Sequence, residues 1–218
     1  MTDTTTIDAE GGFARRLRMQ TRSSHEQAET SPFMTNLFAG DVPLHGYVEL
    51  LAQQYFLYTV LEGAGAALSE DPMASAFIRD DLLRGPALSA DLEHFLGKDW
   101  RNRINALPAT TDYCDRVAAA AADPATFVAH HYTRYLGDVS GGAMLRDVVR
   151  RIYAFDGVDG TRFYEFDLGD ITAFRGGYRR LLDETPWSAD QRDAMVAEAQ
   201  AAFECNIAMF NAIGDSLD

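Results

Sequence analysis

Four side chains near the N-terminus fall on one side of a helix, because Arg18, Arg22, His25 and Glu29 follow one another at intervals of four, three and four residues. A neutral imidazole binds a metal through one ring nitrogen while a carboxylate one turn away holds the other N–H. His25 with Glu29 therefore has the form of a metal ligand with its orienting partner supplied. Two arginines four apart repel one another by roughly 0.2–0.5 kcal/mol on an isolated helix, which a solvated face tolerates and an anionic ligand reverses. Arg175 and Arg179 repeat the spacing, in a segment weakened by Gly176 and Gly177.

A third stretch is anomalous in another way. Apolar positions recur at helical spacing from Ala125 to Tyr135, yet Gly137, Gly141 and Gly142 follow within the same element, at roughly 1 kcal/mol each relative to alanine. Gly137 and Gly141 share a face and strip it of side chains, with Asp138 beside the bare patch. Such a face serves either a close helix crossing or the approach of something flat to the backbone. Taken together, an axial histidine, a bare backbone face and guanidinium groups specify a flat metal complex bearing acidic substituents.

The elements that must position these residues are helical throughout, and no β-sheet or internal repeat is evident. A first helix covers about 12–29, with Pro32 closing it. Asp41 and Pro43 open a long second helix carrying Tyr47, Leu50, Leu51, Gln54, Tyr55, Tyr58 and Leu61. Shorter pieces follow near 73–84 and 89–96. Pro108 opens a helix through Tyr113 and Val117, and Asp123-Pro124 caps the helix that enters the glycine stretch. Residues 157–169 carry aromatics without a period and read as a structured connection. Helix resumes over 171–182, and Ser188-x-x-Gln191 is a capping box for a last helix ending at Gly214. The expected organisation is one all-α domain over 12–214, preceded by a poorly ordered tail over 1–11.

A chain of 218 residues with no Pro-, Gly- or Ser-rich linker suits one domain with a buried pocket. A net charge of −14 disfavours nucleic acid and anionic membrane surfaces as partners. No apolar run approaches the ~20 residues of a membrane span, and the polar, acidic first residues are unlike a signal peptide. The expected location is cytoplasmic, consistent with Cys114 and Cys205 as two unpaired thiols. His130 and His131 point about 100° apart on a helix, so they read as structural rather than as a metal pair. His45 and His94 read as isolated and exposed, and Gly63 and Gly65 have no evident role.

The run YTRYLGDVSGG, from Tyr132 to Gly142, resembles the signature of the haem oxygenase family, in which this segment is the distal helix over the haem face. SSHEQAETSPFM, residues 23–34, resembles the family's proximal segment, and the similarity extends from about Arg15 to Phe210. The resemblance implies a single-domain, multi-helix fold holding haem between a proximal N-terminal helix and a glycine-kinked distal helix. It makes His25 the axial ligand, Glu29 its hydrogen-bond partner, and Arg18, Arg22, Tyr132, Arg175 and Arg179 the propionate contacts. Several of these basic positions are commonly lysine in the family, and arginine keeps the charge while changing the donor geometry. Tyr58, Tyr113, Arg134 and Asn206 match positions of the distal water network around Asp138, with Gly137 and Gly141 as the bare face.

The activity so implied is O2- and electron-dependent cleavage of haem b, cofactor and substrate at once, to biliverdin, CO and Fe2+. Cleavage is expected at the α-meso carbon, through a hydroperoxide assisted by waters that Asp138 anchors, with a ferredoxin or reductase as electron donor. Two other readings compete. A non-degrading haem carrier or sensor would have no need of Asp138, Arg134 and Asn206. A thiaminase-like helical enzyme without haem would have no use for the His25 stripe.

Overall fold

The computed structural model describes residues 11–217, so the expected N-terminal tail, apart from Gly11, lies outside the described residues. Among the described residues nine α-helices follow in order: α1 Phe13–Glu29, α2 Pro32–Ala39, α3 Leu44–Ala67, α4 Gly85–Leu96, α5 Pro108–Ala120, α6 Pro124–His131, α7 Gly137–Tyr153, α8 Ile171–Glu184 and α9 Ala189–Asp215. Among the described residues there is no β-strand.

Helix starts follow local chemistry. Asp123 accepts the Ala125 N–H at 2.7 Å ahead of Pro124, and Asp170 accepts those of Thr172 and Ala173 at 2.8 and 3.1 Å. Ser188 and Gln191 exchange side-chain-to-backbone bonds of 3.1 Å each, completing the capping box of α9. Pro32 differs from expectation: it does not simply end α1 but is the first residue of α2. Proline suits that position, where the missing N–H would have no helical partner. Gly40, at φ +87°, closes α2 in the left-handed region. Between α3 and α4 the expected helical pieces are two single 3-10 turns, Ser75–Phe77 and Asp80–Leu82.

The longest helix, α9, is the spine: α1, α2, α5 and α6 pack along it, while α3 packs against α4 and α5. Leu17, Leu50, Leu51, Leu57, Tyr58, Val128, Met195, Ala199 and Met209 are buried in one continuous core. From Pro124 to Tyr153 the chain is helical without a break, but Tyr132–Leu136, between α6 and α7, forms a π-turn. The departure from α geometry thus precedes the glycines, and Gly137 itself is helical at φ −62°, ψ −55°. One-turn π-bulges inside α-helices re-aim the side chains that follow and recur at functional sites.

His130 and His131 are both buried at the end of α6 and both serve structure. His130 Nε2 lies 2.8 Å from Glu198 on α9, and Arg116 of α5 holds the same carboxylate through two 2.7 Å bonds. His131 Nδ1 lies 2.9 Å from the Tyr178 hydroxyl on α8. Burial pushes the His131 imidazole down to about 3. It therefore stays neutral in the fold while gaining a proton in the unfolded chain below about pH 6.5. The fold's full stability is present above that pH and is lost progressively as pH falls toward 3. At pH 5 the loss from this group is about 2 kcal/mol. Urea unfolding at pH 7 and pH 5 should show a drop in His131→Gln that is smaller than wild type by about that amount. Equal drops would remove His131 as the source.

Candidate functional site

One cleft of about 510 Å³ gathers most of the residues singled out from the sequence. Its first wall is α1, contributing Arg18, Arg22, His25 and Glu29. The opposite wall is the π-turn and the start of α7, contributing Tyr132, Thr133, Leu136, Gly137 and Ser140. Arg175 and Arg179 enter from α8, and Phe203 from α9.

The His25 side chain is 47% accessible, and its Nδ1 lies 3.3 Å from Glu29 Oε2. The four-residue spacing predicts the contact, and the structure shows that it uses Nδ1, leaving Nε2 as the atom placed to ligate a metal. Phe203 meets the imidazole edge-on, with centroids 5.5 Å apart and planes at 78°. Across the cleft, a Cβ added at Gly137 would meet no atom within 4 Å, so a side chain there would project into open space. Gly141 stands one turn further on, exposed and equally unobstructed, though it does not line the cleft. Gly142 serves packing instead: its Cβ would lie 3.3 Å from the Tyr164 ring.

The basic residues converge as the spacings suggested. Arg22 also donates to Glu26 at 2.7 Å. Tyr132 lies beside Thr21, Arg18 and Arg179; burial raises its phenol pKa, against the pull of those neighbours. Arg175 carries a buried Nε with no hydrogen-bond partner. Buried polar atoms are rarely left so, and an anion in the cleft would satisfy this one.

Behind the distal wall lies a buried polar cluster. Arg134 donates to Asn206 Oδ1 at 2.7 Å and to Gln54 Oε1 at 2.6 Å, and its Nη2 stands 3.5 Å from Asp138 Oδ2. The Tyr58 hydroxyl donates to the same carboxylate oxygen. Burial raises the Asp138 pKa above the ordinary carboxylate value, opposed by Arg134 and Tyr58. Burial lowers the Arg134 pKa, while Asp138 and the neighbouring phenols more than reverse that. The Asp138 side chain keeps 18% of its surface accessible, so water reaches one edge of it. Tyr113 Oη and Arg134 Nε are buried without partners, each in the electrostatic reach of the other residue. Tyr58, Tyr113, Arg134 and Asn206 thus stand with Asp138 in a layer behind the cleft rather than on its surface.

Sequence reasoning missed Gln54, Glu62 and Phe203. Gln54, Tyr58 and Glu62 are spaced by four on α3, a polar stripe within an otherwise apolar helix, and that signal was available. Gln54 completes the Arg134 cluster, and Glu62 accepts the N–H groups of Arg84 and Gly85 at 2.5 and 3.0 Å. Phe203 left no such mark, since an aromatic on the core side of α9 looks like any other core residue.

Comparison with known proteins matches this arrangement. The "Heme oxygenase" family model matches residues 11–212. Heme oxygenase 1 of Nostoc sp. is 35% identical over 207 residues, covering 94% of this chain and 87% of that protein. Heme oxygenase 1 of Synechocystis sp. is 36% identical over 208 residues, covering 94% and 86%. The crystal structure of the latter organism's heme oxygenase-1 in complex with heme superposes with a TM-score of 0.90 at 35% identity, covering 94% of each chain. With matches of this extent in sequence and in fold, the chain belongs to the haem oxygenase family.

Proposed function

We propose that this protein is a haem oxygenase that cleaves haem to biliverdin, CO and Fe2+ with dioxygen and electrons from a redox partner. The observation that carries the reading is the opposition of a Glu29-held His25 and a side-chain-free Gly137 across one arginine-rimmed cleft. Haem fits the residues present: His25 lines the same cleft as a glycine whose added Cβ would project into open space, and Arg175 Nε has no protein partner that an acidic group would displace. The cleft volume lies within the range of ~300–1,000 Å³ usual for small-molecule sites. When bound, haem supplies both the iron that takes dioxygen and the macrocycle that is oxidised.

The protein's part is to bind, orient and deliver protons. His25 Nε2 would hold the iron from the α1 side, while Glu29, accepting from Nδ1–H, fixes the ring's tautomer and orientation. Arg18, Arg22, Arg175, Arg179 and Tyr132 line the same cleft and would hold the acidic substituents of the bound haem. The α-meso carbon is the expected position of cleavage on the family resemblance alone. Gly137 leaves the distal face open, and Gly141 extends the bare backbone. Asp138, held by Tyr58 and Arg134 with one edge accessible, anchors waters that carry protons toward the distal face. Tyr113 Oη and Arg134 Nε, buried and unpartnered, supply further places for such waters.

The electron donor is a ferredoxin or reductase docking near the cleft, where arginines gather on a chain of net charge −14. No helix among the described residues is long and apolar enough to cross a membrane, and we place the protein in the cytoplasm.

Purified protein mixed with haemin, an electron donor and air should lose the haem absorption band as the biliverdin band grows. A haem band that persists under turnover would instead identify a carrier or sensor. In His25→Ala the Soret shift on adding haemin should be lost and restored by free imidazole; an unchanged spectrum would remove His25 as ligand. Asp138→Ala should bind haemin normally while biliverdin formation slows by about 10²-fold, and wild-type turnover would rule out the proton-delivery role. The double change Arg175→Ala, Arg179→Ala should weaken haemin binding about tenfold and broaden the set of biliverdin isomers. Unchanged affinity with a single isomer would place both arginines outside the binding site.

A further inference from the structure

The helix that carries Arg175 and Arg179 is lightly held. Tyr178 and Leu182 are its only buried residues, and Asp170 caps it from its own chain end. At its C-terminal end Asp183 accepts the Ala14 N–H at 2.7 Å, which ties it to α1. Its N-terminal half makes no hydrogen bond to another helix among the described residues; there Ile171 and Phe174 pack half-buried against the core, and the Arg79 guanidinium lies over the Phe174 ring, 5.4 Å from its centroid. Between the helix and the segment carrying Ala76, Phe77 and Arg79 lies a second hollow of about 310 Å³, bordered also by Phe174, Tyr178 and Leu181, so the packing on that side is incomplete.

Tyr178 is the exception. Arg175, Tyr178, Arg179 and Leu182 share one face of α8 by their three- and four-residue spacing, so the phenol sits between the two guanidinium-bearing positions. Its hydroxyl lies 2.9 Å from His131 Nδ1 in a fully buried contact, and the two rings stack at 16° with centroids 5.8 Å apart. Phe77 packs edge-on against the phenol at 5.2 Å. His131 is the last residue of α6, immediately before the π-turn that leads to Gly137. One hydrogen bond therefore joins the middle of the arginine helix to the origin of the distal wall.

We propose that the Tyr178–His131 hydrogen bond is a latch that seats α8 over the cleft, making Tyr178 and His131 positioning residues that set the place of Arg175 and Arg179 relative to the distal wall. In consequence they set the in-plane orientation of the bound anionic macrocycle. This rests on the haem reading above only in its last step. Burial keeps His131 neutral and Tyr178 a phenol, so the latch holds unchanged across the neutral pH range.

Tyr178→Phe deletes one hydroxyl and keeps the ring, so the test begins there, with His131→Leu and the double variant beside it. In the haem-free protein, amide exchange over residues 173–182 should speed up about fivefold to tenfold in each single variant and no further in the double. Haemin dissociation should accelerate by a similar factor, and the biliverdin product should change from one isomer to a mixture. Unchanged exchange in Tyr178→Phe overturns the latch. Faster exchange with unaltered haemin dissociation and a single isomer overturns the claim that it seats the ligand. Should His131→Leu not fold, Tyr178→Phe decides alone. A wild-type protein that binds no haemin would refute the proposed function, while the exchange measurement would still judge the latch.

Discussion

One helical run, from Tyr132 to Ser140, has to satisfy two opposite demands. Toward the cleft it must present backbone with no side chain at Gly137, and toward the interior it must bury a guanidinium and a carboxylate four residues apart, at Arg134 and Asp138. Burying charge in a low-dielectric setting is unfavourable unless each ion is paired and its remaining polar atoms are hydrogen-bonded. The surrounding helices supply most of that: Gln54 and Tyr58 from α3 and Asn206 from α9 all reach the pair, leaving Arg134 Nε as the atom without a protein partner. Much of the remaining architecture is arranged so that these three elements meet there.

Helical spacing reconciles the two demands. Thr133, Leu136, Gly137 and Ser140, three and four residues apart, line the cleft, while Arg134 and Asp138, four apart, face the polar layer; the π-turn at Tyr132–Leu136 lies where this face begins. The glycines lower intrinsic helix stability by roughly 1 kcal/mol each. Packing of the flanking turns restores it, with Phe127, Val128 and Ala129 buried ahead of them and Val149 behind. Gly142 belongs to that packing rather than to the cleft, since the Tyr164 ring lies against it.

The proximal side is simpler and more local. His25 and Glu29 lie on one helix, so their contact needs only helical geometry, and Phe203 adds the edge that limits ring rotation. The arginines are gathered from two helices far apart in the chain. Their charges oppose the net charge of −14, which concentrates positive potential at the mouth of the cleft.

The sequence by itself determined the helical class, most helix starts, the His25–Glu29 pair and the existence of a bare glycine face. All of these are carried by neighbours within four residues, where helical spacing and capping chemistry suffice. The resemblance carried by Tyr132–Gly142 and by residues 23–34 added which residues to look for around Asp138. Tertiary structure alone decided three things. It placed the π-turn ahead of the glycines, for which no local residue pattern is diagnostic. It set Tyr58, Tyr113, Arg134 and Asn206 behind the cleft wall instead of on it, because that depends on how α3, α5 and α9 pack. It also joined His131 to Tyr178, 47 residues apart in the chain, through a contact that exists only once α6 and α8 are brought side by side.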